Sequence, residues 1–223
     1  MAGVLDDPRL QALVDGLHAQ SVAQEAETGA WFSERAQRGE LSWDGLDETS
    51  HRYMADKLVA LEPAKAEFCH LLCRALGARR VVEVGTSFGV STLYLAAAVR
   101  ANGGGVVIGA EHEPEKAARA REIFAEAGLS DLIDLREGDL RETLKVIEGP
   151  VDFVLVDIWV EMARPALELI APHLRKGAVI VADNTTQVRH AYKAFFEFVA
   201  DPANGLKTMT LPFDGGLEMV VKV

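Results

Sequence analysis

From residue 80 onward, short β-rich runs alternate with apolar helical stretches, and that alternation limits the fold more than any other feature. Residues 80–84, 106–110, 132–136, 151–156 and 178–182 read as strands. Residues 91–100, 114–127, 140–147, 163–173 and 187–199 read as the helices between and after them. Short apolar strands alternating with helices point to a parallel sheet covered on both faces. Two further strands, 206–211 and 217–223, are joined by Pro212-Phe213-Asp214-Gly215-Gly216, a hairpin signal at a sheet edge. The predicted fold class is α/β: a doubly wound, Rossmann-like, mostly parallel sheet with an antiparallel last strand.

The first 78 residues follow a different pattern. Leu10, Leu13, Val14 and Leu17 recur at helical spacing within a helix predicted over 9–28. A polar, turn-like stretch spans 38–47, and helices are predicted over 50–60 and 62–76, with Pro63 in a permissive first turn. The chain of 223 residues is 49% hydrophobic, enough for one sizeable core and cramped for two. The reading is a single domain: a helical N-terminal cap over 1–78 and a core over 79–223.

Charge removes one class of partner. Lys plus Arg total 23 against 34 Asp plus Glu, a net charge of −11, so the surface repels phosphate backbones and nucleic acid is not expected. No stretch approaches the ~18 consecutive apolar residues of a membrane span. The acidic start lacks an apolar signal core. A cytoplasmic protein without membrane contact is expected. Cys69 and Cys73, four apart on one helix face, read as reduced and partly buried thiols.

The strongest local signal is VVEVGTSFGVSTLYLA, residues 81–96. A strand runs into Gly85, a tight turn follows, and a helix opens near Gly89. Glycines let backbone approach a ligand closely, and a helix start offers unpaired N–H groups. By itself the turn is equally compatible with plain packing. The spacing is not Gly-x-Gly-x-x-Gly, and no Gly-Lys-Ser/Thr follows, which removes the usual dehydrogenase and P-loop readings. Glu111 closes the second strand, where an acid can accept from both ribose hydroxyls. Its plainer role is a carboxylate at a helix start. Asp139 after the third strand is placed to reach an adenine edge or to cap the next helix.

At the opposite side, VDFVLVD ends in Asp157 and VIVADN ends in Asp183 and Asn184. Neighbouring parallel strands would bring the three to one rim, outside the strands' carboxyl ends where ligands of such sheets gather. Asp, Asp and Asn with waters make a hard all-oxygen shell suited to Mg²⁺ or another hard divalent cation, whereas zinc recruits His or Cys.

These stretches, with the closing GGLEM, resemble the class I S-adenosylmethionine-dependent methyltransferases, and within them the metal-dependent catechol and caffeoyl-CoA O-methyltransferase group. The resemblance covers roughly residues 52–223. It implies a seven-stranded sheet, S-adenosyl-L-methionine as methyl donor, a small hydroxylated acceptor of catechol type, and a homodimer. It places Glu83, Gly85, Thr86, Ser87 and Gly89 around the cofactor's methionine and ribose, with Ser91 at its carboxylate. Glu111 would hold the ribose hydroxyls. His112, Gly138 and Asp139 would flank the adenine, and Trp159 would pack near it or on the site wall. Met54 would close over the donor. Asp157, Asp183 and Asn184 would bind Mg²⁺, which holds both catechol oxygens and activates one.

One departure stands out. The group continues Asp-x-x-Lys after the fourth strand, with the lysine beside the reacting hydroxyl, whereas this chain has Asp157-Ile158-Trp159-Val160. A positioned acid–base group contributes ~10²–10⁴-fold, and valine supplies none of it. Metal activation alone, a substitute such as Glu161, His112 or Lys57, or a different acceptor are the available explanations. The alternative to an enzyme is a protein that binds the cofactor without turnover.

Overall fold

The computed structural model describes residues 3–41, 47–187 and 189–223. Seven strands form one sheet: β1 (Arg80–Val84), β2 (Val106–Glu111), β3 (Ile133–Glu137), β4 (Val151–Val156), β5 (Leu174–Asp183), β6 (Leu206–Leu211) and β7 (Leu217–Lys222). Their order across the sheet is β3-β2-β1-β4-β5-β7-β6. The first five run parallel, and β7 lies antiparallel between β5 and β6. The fold class read from the sequence is therefore present, Rossmann-like and doubly wound. The hairpin is placed with its second strand against β5, so β6 is the edge.

Period-2 side-chain alternation divides the core in two. Val81, Phe153, Leu155, Val179 and Val181 face one apolar cluster, completed by α1 (Pro8–Gln37), α3 (Pro63–Leu76), α4 (Val90–Ala101) and α5 (Pro114–Glu126). Val82, Val84, Val154, Val156 and Ile180 face the other, completed by α6 (Leu140–Thr143), α7 (Val160–Ile170) and α8 (Lys193–Ala200). Each buried Leu, Val, Ile or Phe is worth about 1.5–3 kcal/mol relative to exposure, so both strand faces must be covered.

Several helix bounds differ from the expected ones, each for a local reason. The first helix continues to Gln37 from a start capped by Asp7, whose carboxylate accepts from the Arg9 and Leu10 N–H groups. The helix expected over 50–60 is the shorter α2 (Glu48–Met54). Beyond it, α1 takes over the backbone donors: Leu58 N–H donates to Gln24 Oε1 (3.1 Å) and Ala60 N–H to Ser21 Oγ (3.0 Å). The helix expected over 140–147 stops at Thr143, because Arg136 Nη1 donates to the carbonyls of Thr143 and Val146. The helix expected from 187 begins at Lys193, since Thr186 and Gln187 N–H groups are tied to the Gly215 carbonyl of the hairpin. Residues 42–46 of the predicted turn, and Val188, lie outside the described residues. Among the described residues no helix is long and apolar enough to cross a membrane.

Candidate active site

Every candidate residue on the sheet sits at the carboxyl end of a strand, where the loops after β1, β2, β4 and β5 converge. The loop after β1 is shaped by sterics. Gly85 has φ +93°, and a Cβ there would lie 1.9 Å from the Asp157 carbonyl oxygen. Gly89 has φ +83° and opens α4, where a Cβ would meet the Phe124 ring at 2.2 Å. Ser87 also has positive φ (51°), uncommon for a residue with a side chain. Its Oγ is buried with no hydrogen-bond partner in the protein, a polar atom that a polar ligand would satisfy. This loop fits the methyl donor expected there.

Glu83 is fully buried beneath the loop. It accepts from Ser91 Oγ (2.6 Å), Thr86 Oγ1 (3.1 Å) and the Thr92 hydroxyl. Burial pushes its carboxyl up to about 7 against the opposing pull of these three donors. Glu83 and Thr86 thus brace the loop from below, and Ser91, expected at the cofactor carboxylate, spends its proton on Glu83. Glu111, also buried, accepts from the N–H of Ser87 (2.6 Å) and of Glu113 (2.8 Å), joining the loops after β1 and β2. Gly138 donates its N–H to the Glu111 carbonyl (2.8 Å).

Other placements are less tightly held. Asp139 caps α6 by accepting from Arg141 N–H, and the Arg141 guanidinium, named with that cap, holds its carboxyl down at about 2. His112 is exposed beside it. Trp159 is packed edge-on against His51 of α2, with ring centroids 5.6 Å apart. Met54 is buried at the end of the same helix.

The expected Asp157, Asp183 and Asn184 do come together. Val156 and Ala182 are partners in register, so the next residues, Asp157 and Asp183, are neighbours on the rim. Burial raises both carboxyls above the usual range, with repulsion from Asp183 adding to the shift of Asp157 and from Glu62 to that of Asp183, and with Lys65 opposing both. Asn184 has φ +56° and donates Nδ2 to Asp183 Oδ2 (3.0 Å), while its Oδ1 is turned toward Gly215, where a Cβ would meet it at 2.4 Å. The other Asp183 oxygen, Oδ1, accepts from Lys65 Nζ at 2.7 Å. Both Asp183 oxygens are thus engaged by protein donors and the Asn184 oxygen points away. That arrangement does not present the oxygen shell expected for Mg²⁺, and it has a cation within it already. Among the described residues, no group of three His, Cys, Asp or Glu side chains could hold a metal ion.

The substitutes proposed for the missing lysine are elsewhere. Val160 starts α7 and packs against the apolar cluster on its side of the sheet. Glu161 is exposed in the first turn of α7, a position that favours a carboxylate through the helix dipole, and is not among the buried rim groups. Lys57 pairs with Asp56 (3.1 Å) and lies over the Tyr53 ring. The residues that sequence reasoning missed are Lys65 and Tyr192, whose hydroxyl donates to the Asp183 carbonyl (2.9 Å). Lys65 did carry a signal: it is four before Cys69 and eight before Cys73, on the buried face of α3. A cavity of about 570 Å³ opens beside these groups, lined by Glu62, Lys65, Asp183, Asn184, Gln187 and Gly215.

Sheet order and loop geometry together define a Rossmann-like, seven-stranded α/β domain, and over part of its length the chain is similar to methyltransferases. Residues 82–185, from β1 through the rim of β5, match the family model described as a methyltransferase domain. The catechol O-methyltransferase of Mycobacterium tuberculosis is 35% identical over 127 residues, 56% of this chain and 57% of that protein. The catechol O-methyltransferase of Niastella koreensis is 32% identical over 134 residues, 56% of this chain and 58% of that protein. The chain therefore matches a little over half the length of these curated relatives. The O-methyltransferase from Bacillus cereus, solved in complex with SAH, superposes with a TM-score of 0.67 at 25% identity, covering 74% of this chain and 83% of that one.

Proposed function

We propose that this chain transfers the methyl group of S-adenosylmethionine to a hydroxyl of a small phenolic acceptor, with residues 1–78 and 79–223 acting as one methyltransferase unit. The observation that carries the proposal is the contact between Gly85 and the Asp157 carbonyl, which sets the loop after β1 directly against the polar rim. The catechol activity named for two relatives and the SAH complex of a third structure favour the same chemistry.

When bound, the cofactor would supply an electrophilic methyl for the acceptor oxygen, with its sulfur as the leaving group that keeps the electron pair and the hydroxyl proton going to solvent. The chain's part is alignment. The Gly85–Gly89 loop and α4 start bind the polar end of the donor, and Glu111 accepts from its ribose hydroxyls. Glu83 keeps the loop in shape. The Asp157–Asp183–Asn184 rim orients the acceptor hydroxyl. No divalent ion enters the proposal, because the Asp183 oxygens are turned to Lys65 and Asn184.

The test is calorimetric titration with S-adenosylhomocysteine, followed by methyl transfer from labelled S-adenosylmethionine to a panel of phenols and catechols. Saturable binding and a methylated phenol support the reading. Absence of S-adenosylhomocysteine binding would end it. A second reading, cofactor binding without turnover, draws on Val160 being given over to packing. Binding with no labelled product across the panel would favour it.

A further inference from the structure

We propose that the cation of the acceptor site is the chain's own Lys65 ammonium, which takes the place of a divalent metal at Asp183 and excludes it. The inference rests on the methyl-transfer reading for its role and on the geometry of Lys65 for its substance.

Three observations support it. First, Lys65 is buried to 3% exposure, with Nζ 2.7 Å from Asp183 Oδ1 and 3.5 Å from Glu62 Oε2, and within the field of Asp157. An ammonium in such surroundings offsets part of the rim's negative charge, and positive charge already in place lowers the affinity for further positive charge. Second, Lys65 is in the first turn of α3, where the helix dipole favours carboxylates and disfavours a lysine. A residue that breaks a local rule while buried at a site is usually there for that site. Third, Lys65 is among the residues that line the cavity at the rim, together with its partners Asp183 and Glu62. The position is reached from α3, below the rim, whereas the lysine expected by resemblance would have come from the loop after β4. Val160 therefore leaves the site with a cation supplied from another element.

The chemical consequence concerns the acceptor. A chelating metal takes two vicinal oxygens, whereas an ammonium donates separate hydrogen bonds and needs only one oxygen. The acceptor class is widened to phenols with a single hydroxyl, held between Lys65 and the rim.

The experiment is Mn²⁺ binding, read by electron paramagnetic resonance on the full chain saturated with S-adenosylhomocysteine. The unmodified protein is expected to bind Mn²⁺ no tighter than millimolar, and Lys65→Met to bind it about tenfold or more tighter, as removal of one adjacent charge predicts. Micromolar Mn²⁺ binding by the unmodified chain would overturn the inference. So would a folded Lys65→Met that binds no tighter than the parent. Should Lys65→Met not fold, the titration of the unmodified chain decides alone between the same two outcomes. Binding of S-adenosylhomocysteine is measured on the same samples by calorimetry, so a failure of the methyl-transfer reading is seen separately from a failure of this one.

Discussion

Gly85 and Asp157 meet so closely that a single Cβ on Gly85 would stand 1.9 Å from the Asp157 carbonyl oxygen. The two loops are therefore one construction, and neither can shift without the other. Gly85→Ala adds that Cβ at φ +93°, where an L side chain is also strained. The expected result is a stability loss of about 1–3 kcal/mol, the usual cost of forced overpacking. Loss of measurable S-adenosylhomocysteine binding is expected with it. Urea unfolding and calorimetry check both. A variant with parental affinity would show that the loops are not coupled as described.

Glu83 makes a prediction about pH. Its folded pKa of about 7 lies above the ordinary value of 4.5 because burial disfavours the charged form. The folded chain therefore holds the proton that the unfolded chain has released between those two pH values. Stability from this group is present below pH ~4.5 and is lost as pH rises toward ~7, by about 3 kcal/mol in all. Glu83→Gln removes the titration while keeping the shape. Urea midpoints of the parent should fall more between pH 5 and pH 8 than those of Glu83→Gln. Parallel pH profiles for the two proteins would contradict the assignment.

The sheet was legible because its signals are local: apolar runs of five or six residues, each ended by a turn or an acid. The rim was legible for the same reason, since Asp157 and Asp183 close adjacent strands. What such local signals do not carry is how a side chain is spent. Ser91 looks like a ligand-facing hydroxyl until Glu83 is found beneath it. Asn184 looks like an oxygen donor until its amide is seen turned to Asp183. Lys65 is separated from Asp183 by 118 positions, and only the packing of α3 under the sheet brings them together. The Mg²⁺ expectation arose from counting oxygens without that lysine.

Glu111 ties the loops after β1 and β2 by accepting from Ser87 and Glu113 N–H groups. Its removal leaves two partly buried donors unpaired and withdraws the acceptor proposed for the ribose. Hydrogen bonds to a charged group are each worth about 1.5–3 kcal/mol, so Glu111→Ala is expected to weaken S-adenosylhomocysteine binding by about ten- to a hundredfold. The comparison is made by calorimetry at constant pH. An unchanged affinity would remove Glu111 from the cofactor site and leave it as a loop tie alone.

Lys65 is the counter-charge for Asp183 and, at longer range, for Asp157. Replacing it with methionine keeps most of the side-chain volume and leaves two neighbouring carboxylates without a cation. Removing one partner of a buried pair costs about 3–5 kcal/mol when the remaining charge must stay charged. Both carboxyls are already raised, chiefly by burial, and losing Lys65 raises them further, so they take up protons as pH falls. The penalty of Lys65→Met should therefore grow as pH rises, and be larger at pH 8 than at pH 5. Urea unfolding of parent and variant at the two pH values reads the difference. An equal penalty at both would mean that Lys65 stabilises the fold by packing and not by charge.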